Sequence, residues 1–255
     1  MKPVTSGAVT ASCSDTHPQE CIWSICGKSY KCDSKKLSES KLKENYIIDR
    51  HVDSGWYSKI FQAHDKDSKK WAIKVVDKES SWEDRFQQDL RSFQITKGEP
   101  AIIQSRENHD LGKTGVVVVE WADGDMSWRK GVFENVKSDM EFRLLARQLL
   151  EGIEVLDRKN LYHDSLGTFD FLYVKKDGRV KLSALERAIE KEDASNSQAL
   201  RVVLEALSPI AERVDLSDNS KNLLILLDSN RDIKARDILT HQAFSHLSAD
   251  MTLDL

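Results

Sequence analysis

The hydrophobic pattern changes period once along the chain, and that change constrains the fold more than any other feature. From Tyr46 the apolar residues come in short runs: "YIIDRHV", "SKIFQAHD" and "KKWAIKVVD" are β-prone and separated by polar turn chemistry. They predict three antiparallel strands. The segment "SSWEDRFQQDLRSFQI" opens on a serine cap signal and spaces Trp82, Phe86, Leu90 and Phe93 at helical intervals. Two more strands are expected at "AIIQS" and "TGVVVVEWA". Beyond them the period becomes helical. "SDMEFRLLARQLLEGIEVLDRKN" begins with Ser138 and has Glu141 three residues on, a capping-box signature. Its Phe142, Leu145, Leu149, Ile153 and Leu156 form one apolar face.

"FLYVKKDGRVKLS" predicts a hairpin turning at Asp177-Gly178. "SQALRVVLEALSPIAERV", "SKNLLILLDSN" and "IKARDILTHQAFSHLS" then read as helices, and no internal repeat is present. The expectation is an α+β chain. A five-stranded antiparallel lobe with one main helix covers 44–122, and a shortened, mainly helical lobe covers 123–248.

The chain has 255 residues, enough for a proper hydrophobic core. A net charge of -4 argues against general polyanion binding, so no nucleic-acid partner is expected. The apolar run "GVVVVEW" is strand-sized, and "MKPVTSGAVTASCS" lacks the apolar core of a secretory signal, so no membrane partner is expected either. The default compartment is cytoplasm or nucleus. Residues 1–43 read as a flexible leader and 249–255 as a solvated tail or short docking motif. All 4 cysteines, Cys13, Cys21, Cys26 and Cys32, fall in that leader. Thiolates so clustered could hold zinc, but the spacing is not two tight pairs and no His-x3-5-His follows. The plain expectation is unbridged thiols.

The order of elements and several short motifs resemble the protein-kinase fold over roughly residues 46–248. "WAIK" resembles the motif whose lysine, here Lys74, holds ATP phosphates. "FQQDLRSF" is similar to the helix that supplies the lysine's acidic partner, here Asp89. "VVVVEWADGD" resembles the last small-lobe strand and hinge, with Val119, Glu120 and Ala122 at the nucleotide edge. "LYHDSL" matches the catalytic loop, "VKLSALE" the metal-binding strand, and "ARDILTHQAF" the closing helix. In that frame His163 is a buried organising histidine. "VKLSALERA" resembles the tribbles pseudokinases, whereas the short activation segment and "SREN" resemble the kinase-homology domain of ribonuclease L.

The departures fall on the residues that do the chemistry. The phosphate loop reads "DSGWYS", keeping only Gly55 of three glycines. Ser165 stands where the catalytic aspartate belongs, and a serine hydroxyl is no base near neutral pH. Asp170 replaces the metal-holding asparagine, a tolerable ligand. Ala184-Leu185-Glu186 replaces Asp-Phe-Gly, so Ala184 offers no oxygen to a cation. Asn196 takes the place of the large-lobe anchoring aspartate, and no Ala-Pro-Glu motif separates it from Ala184. Asp232, with Arg231 beside it, stands where that motif's arginine partner belongs.

Taken with the resemblance, these losses imply a pseudokinase without enzyme activity, a regulator or scaffold that binds a protein, an active kinase or its substrate. No metal is expected, and ATP binds weakly, without Mg²⁺, or not at all. Lys74 with Asp89 then serves as a structural ion pair. The alternative is an atypical Ser/Thr protein kinase using Asp164 as base and Asp170, with Glu186, as metal ligands.

Overall fold

In the computed structural model, the structure describes residues 10–13, 20–25, 28–55, 58–78, 83–126, 132–192, 196, 198–229, 233–248 and 250–255. The chain divides into two compact units, residues 1–90 with 104–121 and residues 91–103 with 122–255.

The first unit is built on strands. β1 (Thr10–Cys13), β2 (Glu20–Ile25) and β3 (Lys28–Asp33) form an antiparallel sheet in that order. Two short helices follow, α1 (Ser34–Glu39), capped by the Asp33 carboxylate accepting from Lys36 N–H, and α2 (Leu42–Asn45). The main sheet then comprises β4 (Tyr46–Ser54), β5 (Ser58–Asp65), β6 (Lys70–Asp77), β7 (Ser105–Asp110) and β8 (Thr114–Glu120). Its order is β4-β5-β6-β8-β7, antiparallel throughout. The five-stranded antiparallel sheet expected from the sequence is therefore present.

Its last edge differs from expectation. The strand lies on the polar "SRENHD", not on "AIIQS". Ala101, Ile102 and Ile103 are buried in the second unit instead. There Leu182 N–H donates to the Ala101 carbonyl at 2.9 Å, and Ile103 N–H to the Leu182 carbonyl at 2.9 Å. The apolar run is consumed by a distant backbone partner. The alternating, polar segment after it suits an edge strand with one face wet.

The expected leader is also revised. Tyr30, Cys32, Leu37 and Leu42 share one apolar cluster with Tyr46, Phe61, Ile73 and Val118. Asp33 N–H donates to the Leu111 carbonyl at 2.8 Å, and the Thr114 hydroxyl to the Lys31 carbonyl at 2.6 Å. Through these four residues the segment 28–42 contributes to the unit's core.

Helix α3 (Glu83–Ile95) carries the expected spacing at Phe86, Leu90 and Phe93; Trp82 and the serine cap signal before it lie outside the described residues. Phe86 is fully buried, and its ring would lie 2.6 Å from a Cβ at Gly115. A side chain at 115 would push that ring off the strand.

The second unit is mainly helical. α4 (Asp139–Arg158) has the expected capping box at Ser138 and Glu141, and Phe142, Leu145, Leu149, Ile153 and Leu156 are all fully buried. α5 (Ala199–Ala211), α6 (Asp218–Ser229) and the single turn α7 (Ala235–Ile238) pack around it. Five short strands complete the unit: β9 (Gly124–Asp125), β10 (Leu161–His163), β11 (Phe171–Val174), β12 (Arg179–Leu182) and β13 (Ala188–Glu190). β11 and β12 make the predicted hairpin, whose turn is closed by Gly178 in the left-handed region at φ 58°. The tail is docked, not solvated: Leu253 is buried, its N–H donates to the Gly178 carbonyl at 2.7 Å, and its own carbonyl accepts from the Tyr173 hydroxyl at 2.9 Å. No helix among the described residues is long and apolar enough to cross a membrane.

Candidate functional site

In the first unit the central feature is one buried ion pair. β6 is buried from Trp71 through Val76, as a central strand covered on both faces should be. Lys74 is the one charged residue in that run. Its Nζ lies 2.6 Å from Asp89 Oδ2 on α3, and Asp89 has no exposed surface. The shorter aspartate at this position reaches the lysine directly. A pair this dry is held by mutual attraction against a large desolvation cost, so neither partner is dispensable alone.

The loop that resembles a phosphate cradle is committed to itself. Ser54 N–H donates to the Asp53 carboxylate at 2.8 Å, and Gly55 N–H donates to the Ser58 carbonyl at 2.9 Å. A Cβ at Gly55 would meet Ser58 Oγ at 3.5 Å, ordinary contact, so space does not demand glycine there. Trp56 and Tyr57 lie outside the described residues. At the strand end, Val119 is half-buried and Glu120 buried. Glu120 exchanges bonds with Gln104, its N–H donating to the Gln104 carbonyl at 3.0 Å and its carboxylate accepting from Gln104 N–H at 2.9 Å. Ala122, half-buried, belongs to the second unit.

In the second unit the turn after β10 carries Asp164 and Ser165, both exposed. Arg187 engages both: its Nη1 donates to the Ser165 hydroxyl and lies 3.7 Å from Asp164 Oδ1, while Asp164 N–H donates to the Arg187 carbonyl at 3.2 Å. Sequence reasoning missed Arg187. No spacing rule announces a partner 22 residues away that is brought back by the β10–β13 ladder.

Asp170 is buried and caps its own 3₁₀ turn, its carboxylate accepting from Gly167 N–H at 2.8 Å. Its carbonyl accepts from both Ser183 N–H and the Ser183 hydroxyl, each at 2.8 Å. Ala184 sits in the left-handed region at φ 57°, strained for an alanine, and Glu186 is buried on the turn that follows. Ala184 offers a cation of the kinase type no side-chain oxygen, which leaves Asp170 and Glu186 as the carboxylates of these two turns.

Asn196 holds the turn from behind. Its Nδ2 donates to Asp157 Oδ1 and to the Leu161 carbonyl, both at 2.8 Å, and its Oδ1 accepts from His163 N–H at 2.9 Å. Asp157 also accepts from Asn196 N–H at 2.9 Å. His163 itself is buried, as expected. Its Nε2 faces the Ala184 carbonyl at 3.1 Å, so Nε2 carries the hydrogen and donates. Nδ1 is buried with no acceptor in reach. Burial pushes the His163 pKa down, against the weaker upward pull of the Ala184 carbonyl and of nearby Glu186 and Asp164. The neutral ring is the form this pocket accepts. Arg231 and Asp232 lie outside the described residues.

No family model matches the chain. Its sequence is similar to calcium/calmodulin-dependent protein kinase type 1 of Macrobrachium nipponense, 23% identical over 176 residues, which are 68% of this chain and 51% of that kinase. It is also similar to a probable myosin light chain kinase of Dictyostelium discoideum, 24% identical over 123 residues, 48% of this chain and 39% of that protein. The chain thus spans about half, or less, of the length of these curated relatives. It is kinase-like, at a distance. One expectation is corrected here. The substitutions in the catalytic motifs led to an expectation of no enzyme activity, whereas both relatives are named as protein kinases. Similar sequences carry that activity, so motif losses do not establish its absence.

Proposed function

We propose that this chain is a kinase-like regulatory protein of the cytoplasm or nucleus that acts by binding a protein partner, a kinase or a kinase substrate. The observation that carries the reading is the closure of the catalytic turn on itself. Ser165 and Asp164 are both engaged by Arg187, and the Asp170 carboxylate caps its own turn. Groups so satisfied stabilise a fixed surface, and a fixed surface is what a binding partner reads. Nucleotide, in this reading, binds at Lys74 without Mg²⁺, contributing order to the first unit. The tribbles-like "LERA" and the short activation segment agree with a regulatory role.

A second reading rests on the named relatives and on the intact Lys74–Asp89 pair: phosphoryl transfer with Asp164 as base. One set of measurements separates the two. The intact chain is heated with ATP, with and without Mg²⁺, and incubated with labelled ATP and a mixed protein substrate. The regulatory reading expects the same partner to be captured by the wild type and by Asp164→Asn, and Mg²⁺ to add no stabilisation beyond ATP alone. Transfer that vanishes in Asp164→Asn and survives Ser165→Ala replaces it with the second reading.

A further inference from the structure

Burial alternates along residues 251–255. Thr252 and Asp254 are exposed, Leu253 is buried, and Met251 and Leu255 are half-buried against the core of the second unit. An apolar side chain at every second position is the pattern by which a groove reads one face of an extended peptide. The main chain is read as well. Leu253 N–H donates to the Gly178 carbonyl at 2.7 Å, and its carbonyl accepts from the Tyr173 hydroxyl at 2.9 Å. Leu255 N–H donates to the same hydroxyl at 3.1 Å.

The groups that read this segment are set from behind by α4. The Gln148 amide donates to the Gly178 carbonyl at 3.4 Å and accepts from Val180 N–H at 2.8 Å. The acceptor at Gly178 is therefore held by α4 whether or not the segment is docked. Gly178 also keeps the path open. A Cβ there would stand 2.5 Å from the Thr252 Cβ and 2.9 Å from the Leu253 carbonyl oxygen, an approach only glycine permits. Arg147 and Arg179 line the adjoining stretch of groove beside Met251. Glu151 pairs with both, so that wall keeps a net positive charge, while the segment carries acidic Asp250 and Asp254 on its exposed edge.

The grip on the segment is small. Arg147 Nη1 donates to the Leu247 and Ser248 carbonyls at 2.9 and 3.2 Å, which anchors the chain just before it. Beyond Ser248, among the described residues, the hold on the hairpin is one buried leucine, its two half-buried neighbours and the three hydrogen bonds above.

We propose that the groove between α4 and the β11–β12 hairpin is a peptide-docking site that residues 251–255 occupy in cis. Its partner is an extended segment of another protein with the resident's own chemistry, leucines at alternating positions with an acidic residue between them. That segment enters by displacing the resident one. A groove open in only a fraction of chains lowers the apparent affinity by that fraction, so the resident sets the concentration at which the partner binds. The inference rests on the protein-binding reading above and adds to it a second surface and a sequence pattern for the partner.

The test uses the full chain and a fluorescein-labelled peptide with the sequence of residues 248–255, followed by fluorescence polarisation. Leu253→Asp, which undocks the resident segment, should bind the peptide at least about tenfold more tightly than wild type. Adding Tyr173→Phe should weaken that binding about three- to tenfold, because a main-chain partner is lost. A peptide that itself carries Leu253→Asp should not bind. In the wild type, the Leu253 and Leu255 amides should exchange hydrogen at least ~100-fold faster than those of Leu149 and Leu150 within α4. A Leu253→Asp chain that binds no better than wild type overturns the proposal, as does binding indifferent to Tyr173→Phe. Loss of cooperative unfolding in Leu253→Asp, or Leu253 exchange as slow as that of α4, makes the segment part of the core and overturns it too. Wild-type dimers that dissociate in Leu253→Asp would give the groove to a second copy of this chain instead. None of these outcomes decides the protein-binding reading, which is tested by partner capture with the wild type and Asp164→Asn.

Discussion

Lys74 and Ser165 stand in regions that resemble two working parts of one kinase, and the two regions keep different things. Around Lys74 the charges survive: a lysine and an aspartate, 2.6 Å apart, both buried. Around Ser165 the backbone scaffold survives while the charged groups are exchanged, and each replacement finds a local partner. The difference follows from burial. A buried ion pair resists stepwise loss because the first substitution strands a charge in the core. At the exposed Asp164 and Ser165 water is a substitute partner, so those two change at little cost, while the buried replacements Asp170 and Asn196 each hold hydrogen-bond partners of their own.

The sharpest way to break this comparison is to strand the charge. Asp89→Ala should destabilise the chain by about 3–5 kcal/mol in urea unfolding, because Lys74 keeps its charge without its carboxylate. Lys74→Met combined with Asp89→Leu should recover most of that loss. If the double variant is no better than the single one, the pair is not the reason the lysine persists.

Asn196 offers the next test. The aspartate that kinases hold at this position is predicted to be worse here, because it would face the Asp157 carboxylate and the Leu161 carbonyl where Nδ2 now donates. Asn196→Asp should cost about 2–3 kcal/mol, read from the denaturation midpoint, since two acceptors lose their donor. Combining it with Asp157→Asn should restore stability.

A smaller effect should appear on acidification. His163 is held neutral by burial, so its folded-state pKa lies below the value of 6.5 taken for the unfolded chain. The unfolded state then binds a proton first, and stability is complete above about pH 6.5 and falls as pH drops towards the folded pKa. His163→Gln, whose amide can still donate to the Ala184 carbonyl, should flatten that slope while leaving stability at pH 8 nearly unchanged. A slope that survives the substitution assigns the effect to another group.

The smallest effect belongs to the exposed turn. Arg187→Ala should cost less than about 1 kcal/mol, as solvent-facing pairs do. A loss above 2 kcal/mol would mean that the turn is a buried network in solution, and the contrast with Lys74 would disappear.

Much of this was legible in the sequence where the signal is local. The Ser138–Glu141 box, the five apolar residues behind it and the Asp177-Gly178 turn each depend on neighbours a few residues away, and each stands where expected. The Lys74–Asp89 contact was readable only through the family frame. Distant partners were not readable. Ile102 and Ile103 look like a strand, but Leu182 decides where they go. Arg187 reaches Ser165, and Asp157 reaches Asn196, through strand pairing and helix placement that composition does not encode.

The third strand of the N-terminal sheet alters how the chain should be shortened. A truncation beginning at residue 44 looks natural from composition, yet it removes Tyr30, Cys32, Leu37 and Leu42 from beside Phe61 and Val118. It also removes the carbonyl of Lys31 that holds the Thr114 hydroxyl. In such a fragment the hydrophobic interior is opened, and a negative capture result would be misread as a mapped interface. A cut made before Lys28 spares that interior, and so distinguishes a docking role of the outer strands from simple collapse of the sheet beneath them.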